Sequence, residues 1–223
     1  MRTTCDLDPG ALVAGVGAGT GLLTRGLLAR GYTVTAIEPS DAVRSAADHA
    51  LEHVPAYSSA SGTAEQMPLP PQSVDLITAA QAFHWFDIKA ARAECLRVLK
   101  PQGHVALIWN DRVLTYPLHI ALDPIFAQYG GDKRGAMLAL EERSQVPTFF
   151  GTTTPLELIW PHEHQLGEEG LLSLVFSRSY MPARDAAAGQ RASEQVREVF
   201  ISSAMDSRLT VRYNTVAVIG RPQ

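Results

Sequence analysis

Apolar and polar positions follow one rhythm through the first half of this chain and another through the second. Residues 11–16 form an unbroken apolar run, the pattern of a buried parallel strand. A glycine-rich stretch follows. Leu22, Leu23, Leu27 and Leu28 then recur at helical spacing, and Gly31 stands where a left-handed residue closes a helix. Tyr32 to Ile37 is rich in alternating β-branched residues and predicts a second strand. Ser40 is a good N-cap for a helix over 41–53. A third, weaker strand falls within 56–60, and Pro68, Pro70 and Pro71 mark a surface loop. Val74 to Ala80 predicts strand four. A helix over 87–99 would bury Ile88, Ala91, Cys95, Leu96 and Leu99, and Lys100–Gly103 turns it into a fifth strand, His104 to Trp109.

Strand–helix alternation of this kind predicts an α/β fold: a Rossmann-like, mostly parallel sheet with helices on both faces. Beyond residue 111 the rhythm changes. Helical patterns occupy 118–129, 135–144, 168–176 and 186–204, with β-like runs at Leu156–Trp160 and Leu209–Ile219. The last run alternates well and predicts an antiparallel C-terminal strand. Internal repeats, low-complexity tracts and composition shifts are absent. The expected organisation is one domain over 1–223: a cofactor-binding core at 11–111, a helical substrate-side elaboration at 112–205 lying over the ligand edge, and a terminal strand at 206–223.

Composition narrows the function classes. At 223 residues, 46% of them hydrophobic and 19% charged, the chain suits one large globular domain. A net charge of −4 argues against a nucleic-acid surface. No segment approaches the roughly 20 apolar residues of a membrane span. The first residues lack an apolar leader, and Cys5 and Cys95 do not make a disulfide framework. A cytoplasmic, enzyme-like protein is expected, with a homodimer left open.

The candidate chemistry begins in residues 12–21, Leu-Val-Ala-Gly-Val-Gly-Ala-Gly-Thr-Gly. Glycines after a strand let the backbone approach a ligand that a Cβ would block. Glu38, 17 residues beyond Gly21 and at the end of strand two, can accept both hydroxyls of a ribose. An adenosine-bearing cofactor is indicated. A dinucleotide fingerprint requires G-x-G-x-x-G. Counted from Gly15 the sixth position is Thr20, and from Gly17 it is Leu22. The pattern present is G-x-G-x-G at Gly17, Gly19 and Gly21, with the Ala18 N–H expected to face the ligand. This counts against an NAD-dependent oxidoreductase. No G-x-S-x-G elbow or zinc cysteine cluster occurs, and His162-x-His164 lacks a third ligand at usable spacing, so no metal is expected.

Further motifs follow in order: Glu38-Pro39-Ser40, Gly62-Thr-Ala-Glu65, Leu69-Pro70, Ser73-Val-Asp75, Gln81-Ala-Phe-His-Trp-Phe86, Glu94-x-x-Arg97-Val-Leu-Lys-Pro-x-Gly103 and Trp109-Asn110. With the glycine loop, the ordered set resembles class I S-adenosylmethionine-dependent methyltransferases. It is most similar to the small-molecule branch, which includes trans-aconitate methyltransferase-like proteins. The resemblance spans about residues 11–220. It implies S-adenosylmethionine as cofactor, S-adenosylhomocysteine as product and a small-molecule acceptor. Gly17, Ala18, Gly19, Gly21, Glu38 and Pro39 would hold the cofactor, Thr63, Ala64 and Glu65 its adenine, and Gln81 and Ala82 its methionine part. His84, Trp85 and Phe86 would line the route to the acceptor. His84 is the candidate general base for a hydroxyl or amine, and Trp85 offers a π face to the sulfonium. On the acceptor side stand Trp109, Asn110, Arg112, Arg178 and Tyr180; a carboxylate acceptor would want the forked donors of Arg112 or Arg178.

Two departures accompany the resemblance. Gly15 stands where such proteins place Asp or Glu, two residues before the first glycine. Losing one charge-assisted hydrogen bond of about 1.5–3 kcal/mol corresponds to roughly tenfold to a hundredfold in affinity. About ten residues precede strand one, where relatives carry some tens. The expectation is a pocket that is open, or covered by another subunit or by 112–205, or a chain whose start is incomplete. Both features motivate the alternative of a catalytically weak, methyltransferase-fold binding module.

Overall fold

The computed structural model describes residues 7–140 and 143–223. Strands β1 (Leu12–Val16), β2 (Thr33–Ile37), β3 (Tyr57–Ala60), β4 (Val74–Ala80) and β5 (Leu99–Arg112) alternate with helices α1 (Leu22–Leu28), α2 (Asp41–Leu51) and α3 (Ile88–Val98). Then come α4 (Pro117–Leu140), α5 (Val146–Phe150), β6 (Leu156–Leu166), α6 (Glu168–Phe176), α7 (Ala187–Ser203) and β7 (Leu209–Gly220). The seven strands lie in the order β3-β2-β1-β4-β5-β7-β6. The sheet is mostly parallel, with β7 antiparallel. Register is set by β1, which pairs Leu12 with Thr33 on one side and Val13 with Leu76 on the other. From β1 the chain winds outward through β2 and β3, then reverses to β4 and β5. Ligands bind open α/β sheets at such a reversal, beyond the carboxyl ends of the strands.

By contacts the chain forms two compact units. The first is Met1–Trp109, Arg143–Leu158 and Val216–Gln223; the second is Asn110–Glu142 and Ile159–Thr215. The first unit is built around Ile77, Leu99, Leu107, Phe149 and Phe150, all at most 1% exposed. Cys95 is a buried free thiol in the same cluster, and burial pushes its pKa up to about 12. Cys5 lies outside the described residues. The second unit packs Leu122, Phe126, Leu171, Leu172, Val175 and Val196 from α4, α6 and α7 against Val211 of β7.

Most elements lie where the pattern puts them, and the differences have causes. The leucine face assigned to α1 is buried only in part: Leu27 and Leu28 pack against the core, but Leu22 is 72% exposed and the fully buried residue is Thr24. Beside it, a Cβ built on Gly15 of β1 would lie 3.7 Å from the hydroxyls of Thr24 and of Thr78 on β4, an ordinary contact distance. At the far end of α1, the Tyr32 N–H donates to Leu27 O and the Gly31 N–H to Leu28 O, the paired closure expected of a glycine at that site. Strand β5 starts five residues early, at Leu99. Leu99 opposes Val74 and His104 opposes Leu76, so Lys100–Gly103 bulges out of register. The bulge is pinned by Lys100, whose Nζ lies 2.9 Å from both Asp75 carboxylate oxygens. The helices expected at 118–129 and 135–144 form one element with a non-helical break at Gly131. Helix α5 carries Phe149 and Phe150 but was not legible: five residues with Pro147 near the start show no helical period.

Candidate functional site

A cleft of about 440 Å³ opens in the first unit at the carboxyl ends of β1, β2 and β4. Three segments wall it. The first is the β1 turn with the end of β2: Val16, Gly17, Glu38 and Pro39. Gly17 has φ +61°, and a Cβ built on it would lie 2.6 Å from the Ala82 Cβ, so the turn and the β4 loop touch at a point where only glycine fits. The Glu38 carboxylate ties the turn down. Its Oε2 accepts from the Gly19 N–H at 3.0 Å, and its Oε1 from the Ser40 N–H at 3.1 Å. Remaining lone pairs on both oxygens are left for a ligand. Two expectations change here. The Ala18 N–H donates to Ile37 O at 3.2 Å, so this amide joins turn to strand rather than facing a ligand. Gly21 does not line the cleft; a Cβ there would meet Leu51 Cδ1 at 2.9 Å, and its bareness serves the packing of α1 on α2. Gly19 and Ala18 likewise lie outside the lining.

The second wall is Thr63, Ala64 and Glu65. Thr63 and Gln66 exchange backbone hydrogen bonds at 3.2 and 3.3 Å, closing a tight turn. The Glu65 carboxylate accepts from the Asp87 N–H at 2.8 Å, linking this wall to the start of α3. From α3, Glu94 accepts from the Met67 N–H at 2.7 Å, and Arg97 donates to Met67 O, Leu69 O and both Glu94 oxygens. The Arg97 hydrogen bonds, against the opposing desolvation, hold the Glu94 carboxyl below its usual range. The carboxylate therefore stabilises the fold above its unfolded-state pKa of about 4.3, and that contribution disappears as pH falls through the lower folded value. Glu94→Gln should cost about 1–3 kcal/mol at pH 7. In denaturant melts the gap to wild type should be constant above about pH 5 and close below about pH 4. A gap that persists unchanged at pH 3 would rule out this account.

The third wall is Gln81, Ala82, Trp85 and Phe86. Gln81 adopts φ +55°, a strained conformation for a side-chain-bearing residue and one that clusters at functional sites. Its N–H is held by Ile108 O at 2.9 Å. Phe83 anchors the segment in the core, with its ring 5.5 Å from Phe149, 5.7 Å from Phe86 and 6.1 Å from Trp109. This anchoring role of Phe83 was not singled out from the sequence. Trp85 is 67% exposed. His84 lies outside the lining, its ring 4.8 Å from that of Trp85.

The chain is 33% identical over 209 residues to an uncharacterised methyltransferase of Mycobacterium tuberculosis (strain H37Rv), a match covering 92% of this chain and 81% of that protein. This chain belongs to the class I S-adenosylmethionine-dependent methyltransferases. A family model described as a methyltransferase domain matches residues 14–107. Among solved structures, a provisionally named type II methyltransferase from Anaeromyxobacter dehalogenans is similar, with TM-score 0.68 and 25% identity over 95% of this chain and 91% of that one. The fold is also shared with a geranyl diphosphate methyltransferase solved with sinefungin, at TM-score 0.52 and 14% identity over 97% and 74% of the chains. S-adenosylmethionine is the cofactor of this methyltransferase. The cleft fits it: Glu38 offers carboxylate oxygens for a diol, Val16, Pro39, Ala64 and Phe86 offer apolar faces for a base, and Gly17 keeps the turn bare.

The acceptor-side candidates of the methyltransferase fall elsewhere. Trp109 is 4% exposed and packs in the first unit's core with the Arg143 guanidinium 4.2 Å above its ring. It is a core residue, not a wall of the cleft. In the second unit, Asn110 Oδ1 accepts from the Thr215 hydroxyl at 2.8 Å, and Tyr180 is buried with its ring 6.0 Å from Phe126. Arg112 lies over that Phe126 ring at 5.1 Å, and Arg178 follows the end of α6. His162 stacks on Tyr213 at 5.4 Å. Among the described residues, no group of three or more His, Cys, Asp or Glu is arranged to hold a metal, and no helix is long and apolar enough to cross a membrane.

Proposed function

We propose that this methyltransferase transfers the methyl group of S-adenosylmethionine to a small-molecule acceptor. The observation that carries the reading is the cleft at the strand reversal, with Glu38 tied to the glycine turn at one rim and Gln81 held in a strained conformation at the other. The bound cofactor supplies an electrophilic methyl on a sulfonium. Glu38 would accept the ribose hydroxyls. Thr63, Ala64 and Glu65 would border the adenine, while Gly17, Gln81 and Ala82 would pass close to the methionine part. Trp85 would close the cleft with an aromatic face, which suits a cationic centre. The carboxylates lining the cleft, Glu38 and Glu65, are both engaged by backbone amides. Positioning and exclusion of water then supply most of the rate, as for an acceptor that is already ionised. For a hydroxyl or amine acceptor, His84 is the proposed base.

Calorimetric titration with S-adenosylhomocysteine tests the reading directly. Saturable binding at micromolar concentrations is expected, together with loss of the S-adenosylmethionine methyl group to small-molecule acceptors. Absence of heat at high micromolar ligand, or heat with NAD instead, sinks it.

A further inference from the structure

The second unit holds a cationic cluster that the cleft does not use. Arg178 is half-buried beyond α6. Its Nε is sealed from solvent with no hydrogen-bond acceptor, and it forms no ion pair among the described residues. A guanidinium keeps its charge at every relevant pH, and buried donors are normally paired. His119, 3% exposed, stands near it. Its Nε2 lies 2.9 Å from Arg212 O, so Nε2–H donates and Nδ1 remains a bare acceptor in a neutral ring. The Tyr213 ring is 5.9 Å from His119, and Arg112 lies over Phe126. Burial, with the charges of Arg112 and Arg178 adding to it, lowers the His119 pKa. Burial raises that of Tyr213 against the same two charges. Both guanidiniums therefore bear on one pair of side chains, and no carboxylate among the described residues shifts either of them.

We propose that Arg178, with Arg112, His119 and Tyr213, forms a binding site for the oxyanion group of a small molecule, a carboxylate or a phosphate. Two oxygens of a carboxylate or phosphate match the edge of a guanidinium with its two parallel N–H donors, the geometry that favours arginine over lysine. Such a group would supply the negative charge that the described residues do not bring to Arg178. His119 stays neutral and adds no charge of its own, and its Nδ1 lone pair suits a hydroxyl next to the oxyanion. Arg112 and Arg178 are two of the residues expected on the acceptor side, but every observation behind this site comes from the second unit and none from the cleft.

The test is calorimetry on the full chain at constant ionic strength, titrating succinate in one arm and inorganic phosphate in the other. Saturable binding of at least one is expected. Arg178→Gln should weaken it at least tenfold, and Arg178→Lys less, because it keeps the charge but loses the fork. Arg197→Gln, which removes a surface partner of Glu168, should leave it unchanged. Should Arg178→Gln not fold by circular dichroism, the Lys variant against wild type carries the comparison. Binding of neither anion, or equal binding by wild type and the Arg178 variants, overturns the proposal. A parallel titration with S-adenosylhomocysteine reports on the cleft separately, so failure of one site is not mistaken for failure of the other.

Discussion

Replacing Glu38 by Ala should reduce S-adenosylhomocysteine affinity at least a hundredfold. The carboxylate has two tasks. It accepts the Gly19 and Ser40 N–H groups, which join the glycine turn to the end of β2, and it faces the cleft where the ribose diol would bind. Hydrogen bonds to a charged group are worth about 1.5–3 kcal/mol each. Losing two to the ligand therefore costs roughly 3–6 kcal/mol, and each tenfold in affinity is about 1.4 kcal/mol. Glu38→Gln should fall between: it keeps one acceptor but points an NH₂ at a donor. Calorimetry orders the three proteins, and thermal melts report the loss of the turn's anchor. An Ala variant binding within threefold of wild type would remove Glu38 from the site.

Gly17→Ala should abolish measurable cofactor binding and lower stability by about 2–5 kcal/mol. Two costs add. An L side chain at φ +61° is strained by about 1–2 kcal/mol. Overpacking adds about 1–3 kcal/mol, because the new methyl would lie 2.6 Å from the Ala82 Cβ, an atom fixed to backbone with no flexible end to yield. Either the turn or the β4 loop must move, and both line the cleft. Gly19→Ala is the control, since a Cβ there meets nothing within 4 Å and pays only the strain. Adding Ala82→Gly to Gly17→Ala should recover binding in part, a non-additivity that a double-mutant cycle reads directly. A fully additive cycle would place the effect elsewhere.

How much of this was legible depended on the range of the interactions involved. Periodicity placed β1 to β4 and α2 within a residue or two, because each is a local pattern bounded by a turn or cap. Ser40 is the plainest case: its hydroxyl accepts the Val43 N–H at 3.5 Å. The glycine turn and the motif after β4 also put Gly17, Glu38, Pro39, Thr63, Ala64, Glu65, Gln81, Ala82 and Trp85 together as candidates, and all nine line one cleft. The sequence could not separate candidates that face the cleft from neighbours that face the core. Trp109, after strand five, and Tyr180, in the helical insert, were expected on the acceptor side, yet both are buried. Ala18 looked like an amide donor to a ligand, yet strand β2 takes that amide.

Taken alone, the sequence determined the α/β alternation, the family, the cofactor and the loops that meet at its edge. Each follows from local spacing: period, caps, glycine placement and motif order. Tertiary structure alone decided that Thr24 rather than Leu22 is buried under α1, that Glu38, expected to accept a ribose, also holds the glycine turn, that α5 supplies two core phenylalanines, and that Arg178 stands without a partner among the described residues. Those outcomes depend on contacts between residues far apart in the chain, and no local pattern records them. A side chain's role is set by what packs against it, and that is known only when the chain has folded.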